Sequence, residues 1–149
     1  MTGAIEASGN IMSLINFSDT VPSCCFVHLF NVNQGVLRTA PLLPATNLGS
    51  YCYFRMFRQC SNLVGPIVLP ATTLANNCYQ EMFDQASKIG VLSAAFTDWN
   101  ESGSSTYNWL PSGSTGTFYC PTALNTTTRD ASHIPTGWTI VKEWGGLWI

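Results

Sequence analysis

Charged side chains are scarce in this chain, and their scarcity excludes several classes of protein. Lys and Arg number 6 and Asp and Glu 8, so 9% of the 149 residues are charged, against roughly 25% in an average soluble domain. The net charge of −2 argues against nucleic-acid binding, which normally requires a basic surface. The first Lys or Arg is Arg38, so the amino terminus lacks the positive start of a secretory signal. We expect either a mature or excised fragment or a protein that does not use that route.

The chain also lacks an uninterrupted membrane segment. The uncharged stretch 59–80 is long enough to span a bilayer, but two prolines, Pro66 and Pro70, and three asparagines interrupt it. We predict no membrane span. We also predict a single domain over residues 1–149, large enough to bury a core.

Cysteine pairs spaced as zinc ligands are lacking as well. The 6 cysteines include no Cys-x-x-Cys pair and have no His cluster beside them. Cys52 and Cys78 occupy the same place in two successive repeats. Stacked helices would hold them about 10 Å apart, whereas a disulfide needs Cα atoms within about 7 Å. We interpret these cysteines as buried apolar side chains, and we expect no metal and no cofactor.

The feature that is present is a repeat of 26 positions. One copy begins Leu-Pro-Ala-Thr at Leu43 and the next begins identically at Leu69, and the Cys-Tyr and Met-Phe pairs that follow keep the same interval. A fixed period in this range indicates a stacked-repeat architecture. A degenerate earlier copy covers residues 21–42.

Each copy predicts one strand and one short helix, which makes the fold class α/β. Cys52, Met56 and Cys60 are spaced i, i+4, i+8, the pattern of one apolar helix face. The segment 63–69 is short and β-prone. Stacked copies would bring equivalent side chains together in columns. The residues predicted to form this shared core are Cys52, Met56, Phe57, Leu63, Leu69, Cys78, Met82, Phe83 and Ile89.

The ends of the array are predicted to be capped. Gly9-Asn10 between two apolar runs is typical of a hairpin turn, so residues 1–20 are predicted to form an N-terminal β-hairpin cap. Residues 21–95 are assigned to about three repeats. Residues 96–149 are assigned to a C-terminal β cap with an apolar tail.

The repeat resembles the BspA-like leucine-rich repeats of surface proteins of gut anaerobes and of some of their phages. That family's unit reads A-P-x-L-P-A-T-T-L-A-x-x-C-Y-x-x-M-F-x-x-C-T-S-L. The matching segments are 40–46, 69–75 and 78–83, with further likeness at 6–14, 107–109, 116–118 and 134–140. Ala86 replaces the second cysteine, and the Trp-rich tail is not part of the pattern. The resemblance implies a short leucine-rich-repeat solenoid that serves adhesion or recognition, and it supplies no catalytic residues.

Catalytic patterns are not found in the sequence. A nucleophile elbow, a phosphate loop and a zinc pattern are all missing. Glu81 and Asp84 form an i, i+3 carboxylate pair of the kind used in acid–base chemistry, but we interpret them, like His28, as ordinary helix surface positions. His133 is far from His28 in sequence and adjoins no obvious nucleophile. We predict that the protein is not an enzyme.

An apolar tail follows the last predicted strand, and it is the candidate partner contact. Its side chains either pack on the C-terminal cap or form an interface. The four residues predicted to contact a partner are Trp144, Leu147, Trp148 and Ile149. The predicted function is non-enzymatic recognition or adhesion at a cell surface or outside the cell, with protein or glycan bound through a repeat face. The alternative is a small virion component, such as a phage fibre or capsid decoration, anchored by the tail. A homo-oligomer or a larger assembly fits either hypothesis.

Overall fold

The structure of the protein is a computed structural model that describes residues 3–31 and 35–142. Within these ranges the regular elements are short strands and two 3-10 helices. In chain order they are β1 (Ile5–Glu6), a 3-10 helix (Ile11–Ile15), β2 (Thr20–Val21), β3 (Leu37–Thr39), β4 (Asn47–Leu48), β5 (Ile67–Leu69), β6 (Gly90–Ala94), a 3-10 helix (Glu101–Gly103), β7 (Gly116–Tyr119) and β8 (Trp138–Val141). No helix in the described ranges is long and apolar enough to cross a membrane.

Every strand pairing in the described part of the chain is parallel. Strands β5, β6, β7 and β8 form one sheet in that order, while β1 pairs with β3 and β2 with β4. When two strands that follow each other in sequence pair in parallel, the chain between them must cross back, so that both strands start at the same end of the sheet. The chain is therefore a parallel β-solenoid of about five turns, and we call each turn of the solenoid a coil.

The predicted helices over residues 52–60 and 78–86 are wrong. In the first of these segments Tyr51, Arg55 and Gln59 have φ angles of 57°, 52° and 64°. Such left-handed residues do not fit within a right-handed helix. The second segment repeats the pattern at Asn77, Glu81 and Gln85. Both segments are strings of tight turns, and we call residues 51–59 and 77–85 the turn ribbon.

Backbone hydrogen bonds in the turn ribbon alternate between two directions. The N–H of Met56 donates to the carbonyl oxygen of Tyr53 at 3.1 Å and closes a turn within its own coil. The N–H of Phe57 donates to the carbonyl oxygen of Met82 in the next coil at 2.9 Å. A helix would pair its backbone groups only with one another, whereas the turn ribbon also forms hydrogen bonds from one coil to the next. On a helix, residues four positions apart are rotated by only about 40° relative to each other. Over nine residues, apolar side chains at this spacing therefore fit a helix as well as the turn ribbon.

Both caps differ from the prediction. In the described part of residues 1–20, β1 pairs in parallel with β3 instead of forming a hairpin. Asn10 begins the first 3-10 helix, where its side-chain oxygen accepts the N–H of Met12 at 2.8 Å, a local bond that competes with a hairpin turn. At the other end, β7 and β8 add further coils to the same parallel sheet. Up to residue 142 the predicted C-terminal β cap is therefore part of the solenoid, because each new coil pairs with the free edge of the previous one.

Aromatic rings stack in columns inside the solenoid. The rings of Phe30 and Phe57 have centroids 5.3 Å apart, those of Phe57 and Phe83 5.8 Å apart, and each pair is parallel to within 1°. A second column consists of Phe26, Tyr53, Tyr79 and Trp109. Each of the nine residues predicted for the repeat core is at most 1% exposed. The coils thus share one apolar interior, as stacked repeats must.

Candidate functional site

A polar cleft lies between two loops that leave the sheet at its carboxyl edge. One wall is the loop 97–101, which follows β6, and the other is the loop 123–133, which follows β7. The cleft has a volume of about 370 Å³. Its lining residues are Thr97, Asp98, Trp99, Glu101, Ala123, Asn125, Thr128 and His133. We call it the His133 cleft.

Trp99 fixes the distance between the two walls. Its indole Nε1 donates to the backbone oxygen of Asn125 at 2.6 Å, across an interval of 26 residues. The ring lies 5.1 Å from the ring of Phe96 and 6.4 Å from that of Phe118, and the residue is only 6% exposed. A buried indole with its N–H satisfied is a rigid support. The same repeat interval that builds the core therefore sets the width of the cleft.

His133 is held between two carboxylates from different coils. Its Nδ1 lies 2.8 Å from Oδ1 of Asp130, and its Nε2 lies 2.9 Å from Oε1 of Glu101. The imidazole also meets the ring of Trp99 edge-on, with centroids 5.0 Å apart. Asp130 is itself oriented, because its Oδ1 accepts the backbone N–H of Ser132 at 2.9 Å. The chain Glu101–His133–Asp130 thus ties one wall of the cleft to the other.

Two of the three groups in this hydrogen-bonded chain, His133 and Asp130, shift each other's pKa in opposite directions. Burial alone would lower the pKa of His133, but hydrogen bonds to Asp130 and Glu101 and their negative charges raise it above 6.5. Burial alone would raise the pKa of Asp130, but its hydrogen bond to His133 and the backbone N–H groups lower it below 3.8. Each group therefore favours the charged form of the other.

The lining of the cleft suits binding better than proton transfer. Both nitrogens of His133 face carboxylate oxygens, so the imidazole is oriented by its neighbours and presents no free nitrogen to the cleft. Among the described residues that line the cleft, none is Lys or Arg. What the cleft offers a ligand is a set of carboxylate, amide and hydroxyl groups, which form directional hydrogen bonds.

The residues that the sequence predicts as partner contacts, Trp144, Leu147, Trp148 and Ile149, lie outside the described residues.

The carboxylate pair noted in the sequence is engaged in ion pairs. Oε2 of Glu81 lies 2.6 Å from Nε of Arg55, and Oδ2 of Asp84 lies 3.0 Å from Nε of Arg58, in both cases across 26 residues. The repeat interval could have indicated this, since both basic residues stand one period before an acidic one. His28 lies in the coil before the turn ribbon, where its backbone N–H donates to the carbonyl oxygen of Phe54 at 3.0 Å and its Nδ1 lies 3.2 Å from Nδ2 of Asn31.

Sequence reasoning missed the Glu101–His133–Asp130 chain. The spacing Asp130-x-x-His133 is a visible local signal. Glu101 stands 32 residues before His133, which is not the repeat interval, so no pattern linked them. In the described ranges no group of His, Cys, Asp and Glu could hold a metal ion.

A second, apolar groove marks an interruption of the sheet. Leu42 pairs with Asn10 on one side, and among the described residues β5 pairs with β6 but not with the segment that contains Leu42. Prolines at 41, 44, 66 and 70 flank the gap and lack the N–H that a ladder needs. The groove between them has a volume of about 280 Å³, and Leu42 on its wall is 58% exposed.

No family model matches this chain, and neither does any curated protein or solved structure.

Proposed function

We propose that this protein is a non-enzymatic recognition module that binds protein or glycan through the repeat surface at the His133 cleft. The observation that carries the proposal is the hydrogen-bonded chain Glu101–His133–Asp130, which spans the cleft. It orients polar groups before any ligand arrives, and preorganised groups lose less conformational entropy on binding. The resemblance to BspA-like repeats supports the same role and a location at the cell surface or outside the cell.

The rigidity of the solenoid supports the proposal further. Parallel strands, the turn ribbon and stacked rings each join one coil to the next. The two walls of the cleft follow β6 and β7, which are neighbouring strands of one sheet. A rigid scaffold with polar loops at one edge is a common arrangement for recognition.

The proposal is tested by filling the cleft. Thr128 lines it and is exposed, so Thr128→Trp would occupy the cleft without entering the core. Thr139, exposed on β8 and outside the lining, provides the control Thr139→Trp. Wild-type protein and the control are expected to bind ligands from a panel of surface proteins and glycans, and Thr128→Trp to lose them. The bound ligand should be recovered chemically unchanged, as mass spectrometry would show; a converted ligand, or equal binding by all three proteins, contradicts the proposal.

A second candidate function is a structural subunit of a larger particle, such as a virion. The observation that favours it is the first 3-10 helix and the residues after it, where Leu14 and Phe17 are each 65% exposed. Phe17 also has a φ of 55°, and a bulky residue in the left-handed region costs about 1–2 kcal/mol. A strained and exposed aromatic side chain fits a contact with another copy of this chain.

Sedimentation velocity tests this second candidate. The variant Phe17→Gly removes both the ring and the strain, and Val64→Gly, at a residue that is 51% exposed elsewhere, serves as the control. If the candidate is right, wild-type protein and the control assemble with rising concentration and Phe17→Gly does not. Wild-type protein that stays monomeric up to millimolar concentration would exclude self-assembly through this end.

A further inference from the structure

Building on the proposed function, we infer that the ligand of the His133 cleft is a neutral sugar residue of a glycan. The inference comes from which hydrogen-bonding groups of the cleft remain unused and from the charges that surround them.

The acceptors of the cleft are carboxylate oxygens with one partner already fixed. Oδ1 of Asp98 accepts the backbone N–H of Asn100 at 2.7 Å, and Oε1 of Glu101 lies 2.9 Å from Nε2 of His133. The other oxygen of each carboxylate remains available to accept a hydrogen bond. The hydrogen bond to one oxygen limits the directions in which the second can point. Two such oxygens on one wall are placed to accept from the hydroxyl groups of a ligand.

The opposite wall supplies donors. Oδ1 of Asn125 accepts both the backbone N–H and the hydroxyl of Thr127, at 3.0 and 2.8 Å. These contacts decide which end of the amide is which, and they leave Nδ2 as the donor. Thr97 and Thr128 add hydroxyl groups, each of which donates and accepts. The cleft therefore presents acceptors on one side and mixed groups on the other.

A sugar matches this arrangement better than an ion does. Each sugar hydroxyl both donates and accepts, so it pairs with either wall. An acidic sugar would face the carboxylates of Asp98 and Glu101, and no described residue of the lining is Lys or Arg. Like charges repel each other. A Lys or Arg side chain would satisfy the carboxylates but has no acceptor for the Asn125 amide, whereas a sugar hydroxyl pairs with both walls.

Size and apolar surface agree with a short glycan segment. At about 370 Å³ the cleft lies at the small end of the usual range of ligand pockets, about 300–1,000 Å³. Exposed Ala123 and the 6% of Trp99 that is not buried supply a small apolar part of the lining, which the C–H groups of a sugar can contact.

Two isosteric variants test the inference on the full chain. Asp98→Asn replaces one carboxylate oxygen by an amide donor and keeps the acceptor for Asn100. Thr128→Val removes one hydroxyl without changing the shape. The controls are Asp19→Asn and Thr139→Val, at exposed residues outside the cleft. Binding is measured on an array that carries neutral, acidic and amino glycans and a lysine-rich peptide.

Wild-type protein and both controls should bind neutral glycans, and each cleft variant should bind them about tenfold more weakly, the usual effect of losing one hydrogen bond to a charged or well-placed group. Binding confined to acidic glycans or to the lysine-rich peptide overturns the inference but leaves recognition at the cleft intact. Neutral-glycan binding that neither variant weakens shows that the sugar sits elsewhere. If the wild type binds no glycan but binds a protein ligand, and Thr128→Trp abolishes that binding, the sugar is refuted and the proposed function is retained. If the wild type binds no ligand at all, both are refuted.

Discussion

The rings of Phe57 and Phe83 lie parallel to within 1°, with their centroids 5.8 Å apart. The two residues are one repeat apart in sequence, so their stacking shows that successive coils lie in register. Both side chains are fully buried. The contribution of this stacking to stability can be measured at Phe57, the middle ring of the column.

Replacing Phe57 by Ala should destabilise the protein strongly. Phe57 stacks on Phe30 and on Phe83 and is 0% exposed, so the variant leaves a cavity and loses two ring contacts. We expect a loss of about 3–5 kcal/mol in the free energy of unfolding, measured by denaturant titration. Phe30→Ala, at a half-buried ring, should cost clearly less. Equal losses at the two positions would mean that the column is not the stabilising element.

Replacing Gln85 by Gly tests whether residues 77–85 form the turn ribbon or a helix. Gln85 is exposed with a φ of 63°, a conformation that Gly adopts without strain. The relief of that strain should offset the entropy lost on folding, so Gln85→Gly is expected to be neutral or to stabilise by up to about 1 kcal/mol.

Ser87→Gly is the control for this substitution, because Ser87 is exposed and is not among the residues of positive φ. It should destabilise by several tenths of a kcal/mol. In a helix Gln85→Gly would instead cost about 1 kcal/mol, and that result would contradict the turn ribbon.

The ion pair between Arg55 and Glu81 should contribute little to stability. Its atoms are 2.6 Å apart, but 32% of the Arg55 side chain and 16% of the Glu81 side chain remain exposed. A double-mutant cycle with Arg55→Met and Glu81→Gln should give a coupling energy of about 0.5–1 kcal/mol that falls as salt is raised. A coupling several times larger, or one insensitive to salt, would show that the pair is screened from solvent.

Stability should depend on pH through His133. The raised pKa of His133 means that its contribution is fully present below 6.5 and is lost as the pH rises through the folded-state pKa. The lowered pKa of Asp130 means that its contribution is present above 3.8 and is lost as the pH falls through its own folded-state value. The contribution of the pair is therefore greatest between these two values.

Unfolding free energies of wild type and His133→Gln, measured from pH 4.5 to pH 8.5, isolate this contribution. Their difference should shrink as the pH rises, and it should be small because 73% of the Glu101 side chain and 52% of the Asp130 side chain are exposed. A difference that grows with pH would contradict the assignment.

The thiols should react in the order of their burial. Cys24 is exposed, whereas Cys52, Cys60, Cys78 and Cys120 are buried. Burial raises the pKa of Cys60 to about 11 and that of Cys78 to about 12, so their reactive thiolate forms are rare at neutral pH. Iodoacetamide followed by mass spectrometry should label Cys24 in the native protein and the four buried thiols only after denaturation. Rapid native labelling of Cys78 would show that the coils open.

The repeat interval could be derived from the sequence, and so could the sharing of a core between copies. Leu43 and Leu69, or Cys52 and Cys78, recur at 26 positions, and only stacking explains why apolar identities persist at that distance. The conformation of the segments 52–60 and 78–86, which we predicted to be helical, could not be derived in the same way. Apolar pairs recur every four residues, and within nine residues a period of 4 cannot be told from one of 3.6. The left-handed angles at Arg55 and Glu81 leave no mark in residue type that would reveal a turn.

What the sequence determined by itself is the register, because the same side chains must meet wherever the same interval returns. What only the tertiary structure decided is the conformation between those contacts and the place where the polar loops meet. His133 reaches Glu101 across 32 residues, since the loops after β6 and β7 differ in length and break the interval. A contact that depends on loop geometry has no periodic signal. The His133–Glu101 contact is of that kind, whereas the Trp99–Asn125 bond of the same site keeps the interval of 26 residues.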